Sequence, residues 1–390
     1  MSRKNQKVNQ DSEVAVKQPK KRKKKGSGIV GRIIRRFFLV LFTIIILIVV
    51  ALCLVLNTIF QGPSDAAREV LTMSLLEPSG TKWIPPLFLD EETLNSIRYK
   101  SGDELEDDFT NTELVVINKA TVLTGGDEWA GHPDGIRIEE YKGATFNAHI
   151  MIVRDPSAVF MGTSTAKYST DIPGKRLNEA MAEAGESVIA AVNAGAFFDN
   201  GTSDPIVGSV PAGLVYSNGQ QVWNAYHGFI PAETGGGFVG FNTDNILVVA
   251  KSITPEQAEE LNIRDGCEFG PVLIMNGEVN MEAYNKASGY NPRSAIGQRA
   301  DGAIIFVCID GRQAGSVGGT YRDVTDIMIE YGAVNACNLD GGSSSVMMYR
   351  DMQGLYGEPG TVQMINSYSV LQSQPRRMPN YWMVRAASEE

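Results

Sequence analysis

The N-terminal part of the chain changes character at Phe37, where a polar, basic stretch gives way to an apolar run. The run lasts to Leu56 and is interrupted only by Thr43. At 1.5 Å rise per residue, about 20 such residues cover the ~30 Å hydrocarbon core of a bilayer, so the pattern predicts a transmembrane helix over 37–58. From Glu113 onward the apolar positions come in short runs: Ala148 to Val153, Val188 to Val192, Ile246 to Ala250, Val272 to Met275 and Ala303 to Ile309. Gly, Asn, Asp and Pro bound them, which predicts strands. Helical spacing is clearest over Leu177–Ala184, Thr254–Leu261 and Val324–Tyr331, with Thr254 and Asp323 as N-caps and Gly332 as a C-cap. The expected class is α+β: a sheet-rich globular domain with a few packed helices, preceded by a single transmembrane helix.

Charge gives that span a direction. Residues 1–36 hold thirteen Lys or Arg, including the block Lys20 to Lys25, against Asp11 and Glu13. Lys and Arg stay on the cytoplasmic side, so the N-terminus is expected inside and the main domain outside, on the cell membrane. A cleaved signal peptide is the competing reading, but it calls for a shorter apolar run and a small-residue cleavage site, and Asn57-Thr58-Ile59-Phe60 offers none. A nucleic-acid patch is the other reading of the basic block; directly before a span, orientation and affinity for anionic lipid fit better. Without the first 36 residues, 22 basic and 43 acidic residues remain, a net of −21. A surface that acidic excludes nucleic acid and broad capture of polyanions, and any anionic group must meet a local cluster of Arg.

The expected organisation is a basic tail (1–36), a transmembrane helix (37–58), an extracytoplasmic linker or stalk (59–110) and one domain (111–390). The linker reading rests on an amphipathic patch from Ala66 to Leu76, the stretch Trp83-Ile84-Pro85-Pro86 and an acidic run from Asp103 to Asp108. Beyond the membrane only Cys267, Cys308 and Cys337 occur, too few for a disulfide framework and without a zinc spacing. One bridge among them is compatible with the sequence; so is simple core packing of Cys308 and Cys337.

Polar chemistry gathers where strands are expected to end. Four segments carry it: Asn193-Ala194-Gly195-Ala196-Phe197-Phe198; Glu268-Phe269-Gly270-Pro271; Asn291-Pro292-Arg293-Ser294 leading to Asp310-Gly311-Arg312-Gln313; and Asn338-Leu339-Asp340-Gly341-Gly342-Ser343-Ser344-Ser345. Sites are commonly built on such loops. After Asp340 two glycines allow a sharp turn and close approach to a ligand, and successive amides there can form an anion-binding nest, with the Ser343 and Ser344 hydroxyls adding donors. A plain Asp-Gly hairpin turn is the bland alternative. Arg293 and Arg312 would hold phosphate or carboxylate through paired hydrogen bonds if they converge, and would form structural ion pairs if they do not.

Other chemistries find little support. Only His132, His149 and His227 occur, without a His-Glu-x-x-His pattern, so no metal or other cofactor is expected. The loop from Asp199 to Asp204 is oxygen-rich but lacks EF-hand spacing and reads as a surface turn.

Taken in order, the four segments resemble the phosphodiester glycosidase family, whose bacterial members are commonly labelled exopolysaccharide-biosynthesis proteins. The likeness runs over roughly Ala144 to Val384. It is most specific at Asn291-Pro292-Arg293-Ser294-Ala295-Ile296-Gly297, Asp310-Gly311-Arg312, Tyr331-Gly332-Ala333 and Asn338-Leu339-Asp340-Gly341-Gly342. This chain departs from the family pattern at Ser343, where a third glycine is frequent, and at Ala194 and Ala196, where an Asn-Gly-Gly-Phe-Phe-like form is usual.

The resemblance implies hydrolysis of the sugar–phosphate bond of a sugar-1-phosphodiester, N-acetylglucosamine-like, in cell-envelope or exopolysaccharide metabolism. Phosphate leaves easily, so such a site needs an anion clamp and a carboxylate near the anomeric carbon more than a strong general acid. On that basis Arg293 and Arg312, with the Gly341, Gly342 and Ser343 amides and Ser344, are expected to hold phosphate. Asn193 and Asn338 are expected on sugar hydroxyls, and Asp340, Asp310 and then Glu268 as the catalytic carboxylates. Two other readings use the same residues: a non-catalytic module that binds a phosphosugar polymer or scaffolds an envelope complex, and a metal-dependent phosphodiesterase. Protein partners are not legible.

Overall fold

The structure is a computed structural model of the 390-residue chain and describes residues 29–76, 81–98, 105, 107–117, 127–198, 208–224, 237–286, 288–352, 354–368 and 374–386. His227 and the Asp199 to Asp204 loop lie outside the described residues. Among those described there are seven α-helices and three antiparallel sheets, the α+β class expected. The chain divides after Thr58 into two units. Helix α1 (Ile29–Phe60) is apolar on every face from Phe37 to Leu56, and among the described residues it alone is long and apolar enough to cross a bilayer.

The second unit begins at Ile59. Numbered in chain order, its largest sheet runs β1 (Ile136–Lys142), β2 (Asn147–Val153), β13 (Ile304–Ile309), β12 (Ser294–Arg299), β14 (Ala333–Leu339), β10 (Val272–Met275) and β11 (Glu278–Val279). A second sheet is ordered β16 (Thr361–Met364), β15 (Met347–Asp351), β4 (Val188–Asn193), β17 (Asn380–Arg385) and β3 (Val159–Thr163). The third is β6 (Gln220–Asn224), β5 (Leu214–Ser217), β9 (Ile263–Glu268), β7 (Phe238–Asn242) and β8 (Leu247–Ala250).

These strands read as unbroken apolar runs because both faces are buried. On β13, Ile304, Phe306 and Cys308 enter a core shared by all three sheets, while Ile305, Val307 and Ile309 join a second cluster on the opposite face. Val324, Ile327 and Met328 of α7 (Tyr321–Glu330) belong to that second cluster. In the same way α4 (Leu177–Ala184) covers the second sheet through Leu177 and Met181, and α5 (Pro255–Glu260) covers the third through Ala258. Each sheet thus has one face in the common core and the other under a helix.

Thr254 caps α5 as expected, but α7 starts three residues earlier than the sequence pattern suggested. Its N-cap is Thr320, whose Oγ accepts from the Asp323 amide at 3.2 Å while the Asp323 carboxylate accepts from the Thr320 amide at 2.7 Å. Both residue types cap helices, and the reciprocal box makes Asp323 the third helical residue. Gly332, at φ 79°, supplies the left-handed turn that follows. The three cysteines of this unit are free thiols packed in the core.

Residues 59–98 carry α2 (Asp65–Leu76), a short turn at Pro85–Leu87 and α3 (Glu91–Arg98). They belong to the same compact unit as the sheets. Thr72 is buried, and Ser74 Oγ accepts from the Tyr290 amide at 2.8 Å. Gly289 packs so tightly here that a Cβ on it would lie 2.3 Å from the Ser74 Cα.

Two outcomes follow. Phe306→Ala, at a fully buried position, should lower stability by about 3–5 kcal/mol in urea unfolding of the detergent-solubilised chain. Asp351 gives a pH dependence. Burial opposes ionisation, but the amides of Tyr356, Leu355, Gly357 and Gly354 outweigh it and hold the carboxyl below its ordinary value. A depressed folded pKa stabilises above the unfolded value of about 3.9 and is lost as pH falls through the folded one. Asp351→Asn should therefore flatten the acid side of the stability profile, below about pH 4, and leave its shape near neutrality unchanged.

Candidate functional site

Strand register builds the site. Ser294 on β12 pairs with Cys308 on β13 and with Leu339 on β14, while Ile309 pairs with Ala148 on β2. One residue further on, Arg293 and Asp340 stand level with Ile309, and Asp310, level with Asn147, lies one residue beyond them at the same edge of the sheet. Arg293 enters β12, which lies between the strands that end in the two carboxylates, and those strands are two spacings, or about 9.5 Å, apart. Bonds across the edge fix the row: Ile309 N to Arg293 O at 2.8 Å, Asp310 N to Asn147 O at 2.9 Å, and Asn338 N to Pro271 O at 3.0 Å.

The loop after β14 is held from below by the second sheet. Asn193, fully buried at the end of β4, donates through Nδ2 to the Asp340 carbonyl at 2.6 Å. Its Oδ1 accepts from Ser294 Oγ at 2.7 Å and from the Val346 amide at 3.2 Å. Asn338 is also buried and donates to the carbonyls of Gly270 and Leu339. Both asparagines expected on sugar hydroxyls thus lie inside, under the loop.

Within the loop, the Gly342 amide is spent on Pro292 O at 2.8 Å, and those of Ser344 and Ser345 on Gly341 O and Gly342 O. The amides of Gly341 and Ser343 meet no acceptor among the described residues. Gly341 has no room for a side chain, since a Cβ would stand 2.9 Å from Pro292 O; Gly342 has φ 61°, which glycine adopts freely. Ser344 is buried, and Ser343 is partly exposed.

The carboxylates differ in setting. Asp310 is buried: its Oδ1 lies 3.1 Å from His149 Nε2 and accepts the Ser367 amide at 2.8 Å, and its Oδ2 accepts from Gln313 Nε2 at 3.3 Å. Asp340 is partly exposed. Glu268 ends β9, where its carbonyl accepts the Ala196 amide at 3.1 Å. Its carboxylate lies over Gly213, where a Cβ would come within 2.1 Å of Oε2. Among the described residues no group of three or more His, Cys, Asp or Glu is placed to hold a metal ion.

Three arginines lie near these segments, and they play different parts. Arg293 is buried, stacks over the Tyr321 ring at 4.3 Å, and donates to Gly319 O at 3.2 Å and Gly289 O at 2.8 Å. Arg312 is exposed and donates through Nη2 to Ser74 O at 3.0 Å, Tyr290 O at 3.3 Å and Asn291 Oδ1. Arg376, which sequence reasoning missed, donates to Ser343 Oγ at 3.2 Å and lies over the Phe197 ring at 4.7 Å.

Residues Asn366, Ser367 and Tyr368 tie the two carboxylate loops together. Ser367 serves Asp310, Asn366 donates to Ser345 O at 3.2 Å, and the Tyr368 hydroxyl donates to Ser343 O. Burial pushes the Tyr368 phenol up, and the nearby Asp340 charge adds to this against the opposing Arg376, so it remains a donor. His149 carried one sequence signal, as the lone ring nitrogen donor in an apolar run; Arg376 and Tyr368 carried none, because their partners are remote in the chain.

The model of the phosphodiester glycosidase family matches residues 186–385, a little over half of the chain. The SPbeta prophage-derived uncharacterized protein YomE of Bacillus subtilis (strain 168) is 35% identical over 85 residues, 21% of this chain and 13% of that protein, so the match spans a small part of the relative's length. Among solved structures, the zebrafish N-acetylglucosamine-1-phosphodiester alpha-N-acetylglucosaminidase catalytic domain, auto-inhibited by pro-peptide, is 20% identical with a TM-score of 0.45, over 65% of this chain and 82% of that one. A hypothetical protein from Synechocystis is 17% identical with a TM-score of 0.41, over 65% and 61%.

Asn193→Ala tests the support beneath the loop. It strands three hydrogen-bonding groups and should cost about 2–4 kcal/mol in urea unfolding. Asn193→Asp should also destabilise, because an ionised carboxylate cannot donate to the Asp340 carbonyl.

Proposed function

This chain belongs to the phosphodiester glycosidase family, and from that premise we propose that it hydrolyses the sugar–phosphate bond of an N-acetylglucosamine-like sugar-1-phosphodiester at the Asp310–Arg293–Asp340 edge. The observation that supports the reading is the grouping, at one end of neighbouring strands, of Asp310, Arg293, Asp340 and a glycine-rich loop whose Ser343 accepts from Arg376. An acidic domain that must receive a phosphate needs such a local cation cluster.

In this reading the Arg312 and Arg376 guanidinium groups and the Gly341 and Ser343 amides receive the phosphate, while Arg293 adds its charge from beneath. Asp340, the more exposed carboxylate, faces the positive charge that develops at the anomeric carbon. Asp310, with His149 beside it, activates water, and Glu268 is the third candidate. Water adds to the anomeric carbon as its bond to the phosphate oxygen breaks. The bonding pair leaves with the phosphomonoester, and the proton of water passes to the carboxylate. Asn193 and Asn338 hold the loop instead of the sugar. Helix α1 serves as an uncleaved anchor, with the catalytic unit outside the cytoplasm and its substrate among envelope or exopolysaccharide phosphosugars.

The test is to incubate the detergent-solubilised chain with an alkyl N-acetylglucosamine-1-phosphodiester and a UDP-sugar, and to identify products by mass spectrometry. Free sugar plus an intact phosphomonoester is expected, with Asp340→Asn and Asp310→Asn each lowering turnover by roughly 10²–10⁴-fold while remaining folded by circular dichroism. Binding without turnover would favour a phosphosugar-binding module. Sugar-1-phosphate as product would mean a phosphodiesterase.

A further inference from the structure

The Asp310 carboxylate is held so that one oxygen is fully engaged and the other is shared. Oδ1 accepts the Ser367 amide at 2.8 Å and, with His149 Nε2 at 3.1 Å in its donor tautomer, has both lone pairs taken. Oδ2 meets a single donor among the described residues, Gln313 Nε2 at 3.3 Å, and so keeps one acceptor position. Gln313 is partly buried, and its Oε1 is neither sealed in the interior nor hydrogen-bonded among the described residues. The turn that carries Gln313 is pinned. Gln313 N donates to Ser316 O at 2.9 Å, Ser316 N to Gln313 O at 3.1 Å and Val317 N to Thr145 O at 2.8 Å. Ser316 is fully buried, and its Oγ accepts the Asn147 amide at 3.3 Å. Gly315, at φ 93°, supplies the left-handed residue of the turn.

We infer that Gln313 is a catalytic residue that seats the attacking water together with Asp310: one O–H of the water is donated to Asp310 Oδ2 and the other to Gln313 Oε1. This rests on the reading of Asp310 above as the carboxylate that activates water. As the water oxygen bonds to the anomeric carbon, the O–H on Oδ2 breaks and its proton passes to Asp310. The electron pair of the broken anomeric C–O bond leaves with the phosphomonoester. The O–H on Gln313 stays intact and becomes the anomeric hydroxyl of the free sugar. With both hydrogens engaged, the water is fixed in orientation before it reacts. A primary amide suits the task, because its N–H ties it to the base, its carbonyl accepts the second hydrogen, and it takes no proton itself. Lys in its place would offer donors only, and Glu would set a second negative charge against Asp310.

Methanol tests this, because its single O–H can serve Asp310 and leaves nothing for Gln313. The detergent-solubilised chain is incubated with an alkyl N-acetylglucosamine-1-phosphodiester in water and in dilute methanol, and free sugar and methyl glycoside are quantified by mass spectrometry. Gln313→Ala should lower kcat for free sugar by roughly 10–100-fold and leave KM within about threefold, since a misplaced nucleophile slows the chemical step and not substrate binding. It should also raise the ratio of methyl glycoside to free sugar well above that of the wild type. Gln313→Met, which keeps the length of the side chain and removes the amide, should do the same and guards against a collapsed turn in Gln313→Ala. An unchanged ratio in both variants, whether or not kcat falls, would overturn the role of Gln313 and leave hydrolysis standing. No free sugar from the wild type would overturn the hydrolytic reading, and the role of Gln313 with it.

Discussion

The Asn193 side chain joins two sheets at the place where the chemistry is gathered. It ends β4 of one sheet, yet all three of its side-chain hydrogen bonds serve the ends of other strands: the Asp340 carbonyl after β14, Ser294 at the head of β12 and Val346 before β15. An amide is suited to this because it offers two donors and an acceptor with two lone pairs on one flat group. Since the residue is fully buried, each bond lacks competition from water, and leaving any of these groups unpaired would cost more than the bond itself contributes. The position of Asp340 relative to Arg293 therefore depends on two sheets meeting correctly.

From that joint the remaining geometry follows by register. Antiparallel pairing on both sides of β12 puts Asp310 and Asp340 on opposite flanks of Arg293, and the segment Asn366-Ser367-Tyr368 bridges the two carboxylate loops from the other side. Positive charge enters on three arginines with different exposure. Arg293 is fixed by burial, by Tyr321 and by two carbonyls; Arg376 and Arg312 stand nearer the surface. In a unit with a net charge near −21, attraction of an anion is short in range, because screening at physiological salt limits the reach of each arginine to about 8 Å. Discrimination among anions at such a cluster falls to contact geometry, where the planar guanidinium is effective.

Much of the fold was legible because its strands are buried on both faces. The run Ala303 to Ile309 needed no alternation to be read, and β13 occupies it almost to the residue. The start of α7 was misread because Thr320 and Asp323 are both capping residues and only their mutual bonding shows which stands outside the helix. At the site, Asp310, Asp340 and Arg293 could be picked out because each adjoins glycine or proline at a strand end. The direction of Asn193 could not: an Asn after an apolar strand looks the same whether it faces a ligand or props a loop. His149 and Asp310 are 161 positions apart, and Arg376 reaches Ser343 from a stretch with no strand pattern, so no local signal connects them.

Arg312 ties helix α2 to the segment that leads into β12. Arg312 Nη2 donates to the Ser74 carbonyl in the last turn of α2, where backbone carbonyls lack helical partners and carry the negative end of the helix dipole. A cation there favours the helix end, so the Arg312 guanidinium stabilises α2. A phosphate has a full negative charge and bidentate geometry, whereas a carbonyl offers a partial charge and one acceptor, so phosphate is the better partner for the fork. Through Nη2, Arg312 joins the last turn of α2 to Tyr290 and Asn291, just ahead of Arg293, and this makes residues 65–76 part of the frame that holds the head of β12.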